Sequence, residues 1–188
     1  VEETAVGAQM VSDEYARIMR EHKQNVLISS CCPSINLLIQ KYYPTMLGSL
    51  ARVLTPMQAH CKSIRERDLQ AFTVFIGPCI AKKAEAKYTR SVQYVDYAIT
   101  FEEMQAMFAA REIDLASIPG EPLDNASYFG RIFARSGGVS DAVAEAVYEQ
   151  GLNFTVKAMP CDGIEACRMA LLKASRGVKD FNFIEGMA

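Results

Sequence analysis

The stretch Val26-Leu27-Ile28-Ser29-Ser30-Cys31-Cys32-Pro33 decides how the chain is read. A short apolar run with β-branched content ends abruptly in two adjacent cysteines and a proline. Val26-Leu27-Ile28 has the length and composition of a buried strand. Pro33 lacks a backbone N–H and suits the first turn of a helix. The residues after it, Ile35, Leu37, Leu38, Ile39 and Tyr42, recur with rough helical spacing, predicting a helix over 34–43. The cysteines therefore fall on a strand-to-helix loop, at the carboxyl end of a strand, where α/β folds place ligands.

A second stretch has the same layout. Phe72-Thr73-Val74-Phe75-Ile76 reads as a buried strand, then Gly77-Pro78-Cys79, then the helix-forming run Ile80-Ala81-Lys82-Lys83-Ala84-Glu85-Ala86. Two strands thus each deliver cysteine to a loop that opens a helix. A helix N-terminus favours the thiolate, the form that binds metal, and two such loops could share one soft metal centre.

Working outward, residues 8–20 fit a helix with Met10, Val11, Tyr15 and Ile18 on its apolar side. Thr55-Pro56 is a helix start with Thr as N-cap and Pro at the first position, running to about Arg67. Val95–Ile99 reads as a third strand. Thr100 with Glu103 three residues later forms a capping box for a helix to about Arg111. Residues 114–125 read as a loop and Tyr128 to Gly138 as a glycine-punctuated segment. A helix over 139–150, a strand over Phe154–Ala158, a helix over 163–175 and a final strand Phe181–Ile184 complete the chain. Strands alternating with helices predict an α/β fold with mostly parallel strands flanked by helices.

The 188 residues are enough for one large domain or two small lobes. A formal net charge of −2 gives no reason to expect nucleic acid or an anionic membrane as partner. No apolar run approaches the roughly 20 residues that span a bilayer, and no signal-peptide pattern opens the sequence, so a cytoplasmic location is expected. The six cysteines (31, 32, 61, 79, 161 and 167) sit in a long helix-and-strand chain, which favours reduced or metal-bound thiols over a secreted disulfide framework. Two histidines, His22 and His60, and no CxxC pair do not make a zinc ribbon.

Taken together, Ser29-Ser30-Cys31-Cys32-Pro33, Gly77-Pro78-Cys79-Ile80-Ala81-Lys82-Lys83-Ala84-Glu85 and Val95-Asp96-Tyr97-Ala98-Ile99-Thr100 resemble the catalytic domain of iron-only (FeFe) hydrogenases. Ser136-Gly137-Gly138-Val139 and the closing Phe183-Ile184-Glu185-Gly186-Met187-Ala188 fit the same family in the same order. The resemblance covers nearly the whole chain. It implies two lobes with mostly parallel sheets, divided within about residues 110–130, and a cluster site in the cleft between them. It implies an H-cluster, a 4Fe-4S cubane joined through one cysteine to a two-iron unit bearing CO, cyanide and a dithiolate. The implied reaction is the reversible conversion of protons and electrons into H2. The implied partners are an external electron carrier such as ferredoxin and dedicated maturation proteins.

On this resemblance Cys32 and Cys79 are cubane ligands. Cys31 does not ligate and passes protons to the dithiolate, and Lys82 donates to a cyanide. Pro56 and Phe133 line the cluster pocket, Met187 packs beside it, and Glu14 matches a proton-path glutamate. The family's other two cysteines follow the Met-Ala pair, past Ala188, so the domain is read as incomplete at its C-terminus. Gly77 stands where the well-studied enzymes carry methionine, Ile35 where they carry tryptophan, and Ala51 where they carry a serine in the proton path. The segment Met159 to Cys167 resembles shorter members thought to be sensory. A second reading therefore stands beside the first, an iron–sulfur sensory or assembly-factor-like domain without H2 turnover. Cys61 reads as core, Cys161 and Cys167 as helix-packing thiols or an auxiliary pair, and His22 and His60 as surface or capping residues.

Overall fold

The computed structural model describes residues 1–21, 25–87 and 93–188, so the expectation for His22 lies outside the described residues. The chain divides into two compact units. One comprises Val1–Glu3 and Cys61–Asn125, the other Thr4–His60 and Ala126–Ala188.

The second unit is built on a three-stranded parallel sheet of strands β1 (Leu27–Ile28), β5 (Phe183–Met187) and β4 (Ala158–Asp162), in the order β1-β5-β4. Because side chains alternate across a strand, its two faces have different tenants. Leu27 and Phe183, paired in register, face a core shared with helices α1 (Ala5–Glu21) and α7 (Gly138–Glu149). Ile28 and Ile184, the next pair, face a core shared with α2 (Pro33–Tyr42) and α8 (Ile164–Ser175). Parallel strands buried on both faces are the reason these segments read as nearly continuous apolar runs. Beyond β1 the chain pairs again: Ile28 N–H donates to Ser49 O at 2.8 Å and Ala51 N–H to Ile28 O at 2.9 Å.

The sheet's third strand is displaced from its expected place. Of the run Phe154–Ala158 only its last residue enters the ladder, and β4 begins at Ala158 and runs through Pro160. β4 is an edge strand, the position where a proline's missing N–H costs no ladder bond. The glycine-punctuated segment contains a short helix, α6 (Tyr128–Ile132), capped by Ser127, whose hydroxyl accepts from Gly130 N–H at 3.0 Å.

The first unit holds a two-stranded parallel sheet, β2 (Val74–Ile76) beside β3 (Tyr97–Ile99). Helix α4 (Ala81–Lys87) follows β2, and α5 (Phe101–Ala110) follows β3, with the Thr100–Glu103 capping box formed in both directions. Helix α3 (Pro56–Arg67) begins in the second unit, where Gln58 N–H donates to Thr55 Oγ1 at 3.3 Å, and ends in the first. The expectation of a buried strand at Phe72–Ile76 is corrected: Val74 and Ile76 are exposed, and the Phe72 and Tyr97 rings sit 5.8 Å apart in solvent-exposed positions. One face of this small sheet is uncovered among the described residues, so alternation there has no buried side to satisfy.

Asp96 fastens the entry to both strands. Its carboxylate accepts from Thr73 N–H at 2.7 Å and from Arg65 at 2.5 Å. Burial alone would raise its pKa, but these donors outweigh burial and hold its carboxyl below the usual carboxylate range. A depressed folded pKa adds stability that is complete above the unfolded pKa and fades as pH falls through the folded one. Asp96→Asn is expected to cost about 1–3 kcal/mol at pH 7. In urea melts the gap from wild type should narrow as pH falls below about 4.

Candidate functional site

The Cys31-Cys32 turn hangs from the sheet of the second unit. Ser29 N–H donates to Ile184 O at 2.9 Å, which holds the turn against β5. Cys32 occupies the N-cap position of α2 in extended conformation, its thiol unused as a cap, while its carbonyl accepts from Asn36 N–H at 3.1 Å. Asn36 Nδ2 donates to Ser30 O at 2.8 Å and ties the turn from within, and its Oδ1 is buried without a partner. Cys31 packs against the α1–α7 core, its sulfur 3.2 Å from the Tyr15 hydroxyl. Both thiols are free of disulfide and half-buried.

In the first unit β2 ends at Ile76, and Gly77 N–H donates to Ile99 O at 3.1 Å. A Cβ at Gly77 would lie 2.8 Å from the Phe75 ring, so that ring fills the space a side chain at 77 would take. Cys79 is free and exposed, and its carbonyl accepts from Lys82 N–H at 3.2 Å in the turn that opens α4. One turn on, Lys82 Nζ donates to Glu85 Oε2 at 2.6 Å, with side chains only 14% and 11% exposed. A half-buried ammonium held by a carboxylate is a fixed positive group beside a free thiol. Its neighbour Lys83 instead pairs with Glu103 at the surface.

The remaining expected residues are distributed as follows. Pro56 is the half-buried first residue of α3. Phe133 is buried in the core shared by Tyr15 and Val143. Met187 closes β5 opposite Asp162, and its carbonyl accepts from Gly163 N–H at 2.9 Å. Glu14 lies on α1 with Arg17 at 2.6 Å, and that guanidinium holds its carboxyl below the usual range. A carboxylate so held stays ionised at neutrality, which opposes uptake and release of a proton. Ile35 and Ala51 are both buried. Cys61 is buried as expected. His60 is buried in the described structure, where a surface or capping place was expected.

Three residues here were not singled out by their sequence. Tyr15 read only as one of α1's apolar positions, Glu85 as part of a helix-forming run, and Glu185 as the tail of a strand. Glu85 lies three residues after Lys82, a spacing at which helical charges meet. Glu185 is an acidic residue inside an apolar strand run, which demands a partner. It finds Gly137 N–H and Ser140 N–H at 2.9 Å each and Ser140 Oγ at 2.6 Å.

The model of the family described as iron only hydrogenase large subunit, C-terminal domain, matches residues 1–188. The chain belongs to that family. It is 29% identical over 156 residues to iron hydrogenase 1 of Clostridium pasteurianum, covering 72% of this chain and 27% of that protein. It is 31% identical over 91 residues to the cytosolic Fe-S cluster assembly factor NAR1 of Kluyveromyces lactis, covering 48% of this chain and 19% of that one. The chain thus spans under a third of the length of either. Its fold matches an FeFe-hydrogenase structure from work on oxygen inactivation of the H cluster's 2Fe subcluster, with a TM-score of 0.72 at 20% identity. That match covers all of this chain and 67% of the other.

The donor set suits a cluster of the kind that family carries: soft thiols on strand-to-helix turns and a half-buried ammonium one turn after one of them. Among the described residues no three His, Cys, Asp or Glu side chains gather as a metal site.

Proposed function

We propose that the chain is the iron–sulfur oxidoreductase domain of a hydrogenase, catalysing the reversible reduction of protons to H2 at an H-cluster. The observation that carries this reading is the pair of strand ends, each placing a free cysteine at the opening of a helix in a chain matched along its whole length by the family model. When bound, the H-cluster supplies the iron centre at which electrons and protons combine. Cys32 and Cys79 would each give it a thiolate. Lys82, held by Glu85, presents a fixed positive charge to an anionic ligand. Cys31 carries protons, apt for a thiol whose reference pKa of about 8.5 leaves both forms accessible near neutrality. Pro56, Phe133 and Met187 supply apolar walls. Glu14, tied to Arg17, is assigned a surface charge and no step.

Electrons come from an external carrier such as ferredoxin, and maturation proteins install the two-iron unit. The similarity to NAR1, together with Gly77, Ile35 and Ala51 in place of the family's usual residues, favours a second reading, an assembly-factor-like or sensory domain without turnover. The full natural polypeptide, purified anaerobically and supplied with cubane iron and a synthetic two-iron mimic, decides between them. Infrared bands of bound CO and cyanide, with H2 evolution that disappears in Cys31→Ala, are expected. A cubane that forms while those bands never develop overturns the first reading and leaves the second.

A further inference from the structure

Tyr15 is the only large aromatic side chain among the fully buried residues of α1, and its hydroxyl is spent at the cysteine turn. The ring is locked in the core, edge-on to Phe183 with centroids 5.6 Å apart and planes at 74°. The hydroxyl oxygen accepts from Ser30 N–H at 2.8 Å. It also lies 3.2 Å from Ser30 Oγ and 3.2 Å from Cys31 Sγ. Ser30 Oγ donates its own hydrogen to Val53 O at 3.1 Å, so toward Tyr15 it can only accept. The single Tyr15 hydrogen therefore has two destinations, Ser30 Oγ and the sulfur. When it goes to Ser30, the Cys31 S–H can donate to the Tyr15 oxygen. When it goes to the sulfur, the S–H must turn elsewhere. Burial raises the Tyr15 pKa well above its ordinary value, so the hydroxyl keeps its hydrogen throughout.

We propose that Tyr15 is a positioning residue for Cys31: its immobilised hydroxyl fixes the direction of the sulfur. A cysteine side chain otherwise turns about one bond among three staggered positions. A proton carrier must keep one of them, because misplacement of about 1 Å costs on the order of a hundredfold in rate. The inference rests on the hydrogenase reading for its purpose, and on the Tyr15–Ser30–Cys31 geometry alone for its structure.

The test reads the S–H stretch of Cys31 directly, by infrared difference between the full natural chain and its Cys31→Ala variant before any cluster is supplied. Wild type should give one narrow, hydrogen-bonded band. Tyr15→Phe should shift it to higher frequency and broaden it. Ser30→Ala, which leaves the sulfur as the only destination of the Tyr15 hydrogen and so deprives the S–H of its acceptor, should also raise it, while the backbone N–H stays in place. Val143→Ala, a cavity in the same core that leaves the hydroxyl untouched, should not move it. A band unchanged in both Tyr15→Phe and Ser30→Ala overturns the proposal, and so does one moved equally by Val143→Ala. Should Tyr15→Phe fail to fold, Ser30→Ala decides alone. In the loaded chain Tyr15→Phe should retain the CO and cyanide bands and evolve H2 about tenfold to a hundredfold more slowly. Undiminished H2 evolution overturns the role in turnover. Absence of those bands in loaded wild type counts against the hydrogenase reading, while the S–H result stands or falls by itself.

Discussion

Glu185→Leu is expected to destabilise the chain by about 3–5 kcal/mol, enough to threaten folding of the second unit. The carboxylate is 1% exposed and ends a row of apolar side chains on β5. Its partners are all on the opening of α7: Gly137 N–H, Ser140 N–H and Ser140 Oγ–H. A helix N-terminus carries unpaired N–H groups and a partial positive charge, and a buried carboxylate answers both. Leucine of similar volume would leave those donors buried and unpaired, each costing about 1–3 kcal/mol. Glu185→Gln keeps one acceptor but turns an NH2 group toward another donor, so an intermediate loss of about 2 kcal/mol is expected. Chemical denaturation followed by circular dichroism checks the order, wild type above Gln above Leu. A Leu variant as stable as wild type would mean that water reaches this helix end.

The second large effect is expected at Gly7. A Cβ there would lie 2.2 Å from the Pro56 carbonyl oxygen and 2.8 Å from the His60 Cβ. The first obstacle is backbone on a helix and cannot swing aside. Gly7→Ala therefore forces α1 away from the start of α3, at a cost of about 1–3 kcal/mol or more, although alanine is the better helix former by roughly 1 kcal/mol. The sign is the informative part, since propensity alone predicts stabilisation. Thermal unfolding of Gly7→Ala beside Gly48→Ala, where a Cβ meets nothing within 4 Å, separates the two effects. A drop in melting temperature at 7 with little change at 48 is the expected result. Because α1 also carries Tyr15, the same displacement should disturb the Cys31 turn.

Much of this arrangement was legible before any coordinates. Thr55-Pro56 and the Thr100–Glu103 box mark helix starts because capping is local chemistry, satisfied within four residues. The two cysteine turns were legible for the same reason, each an apolar run stopped by residues that open a helix. What escaped was set by distant partners. β4 lies over Ala158–Asp162 because β5 offers it an edge there, and the residues before Ala158, of better strand composition, are not part of that strand. β2 was legible as a strand but not as an exposed one, since periodicity cannot show whether a second layer covers it. Glu85 and Glu185 look alike in the sequence. Only the fold separates a lysine's companion from a helix anchor.

The order of strands β1-β5-β4 also has a temporal meaning. β1 emerges well before its ladder partner, Phe183–Ile184, with the whole of Cys61–Asn125 between them. Until then Leu27 and Ile28 lack their β5 partners, and Ser29 N–H has no Ile184 carbonyl to meet. The intervening unit can acquire its local contacts first, because its strands β2 and β3 are near neighbours in sequence, and nearby contacts close fastest. On the ribosome, then, the turn bearing Cys31 and Cys32 is completed only after the intervening unit and β5 have emerged.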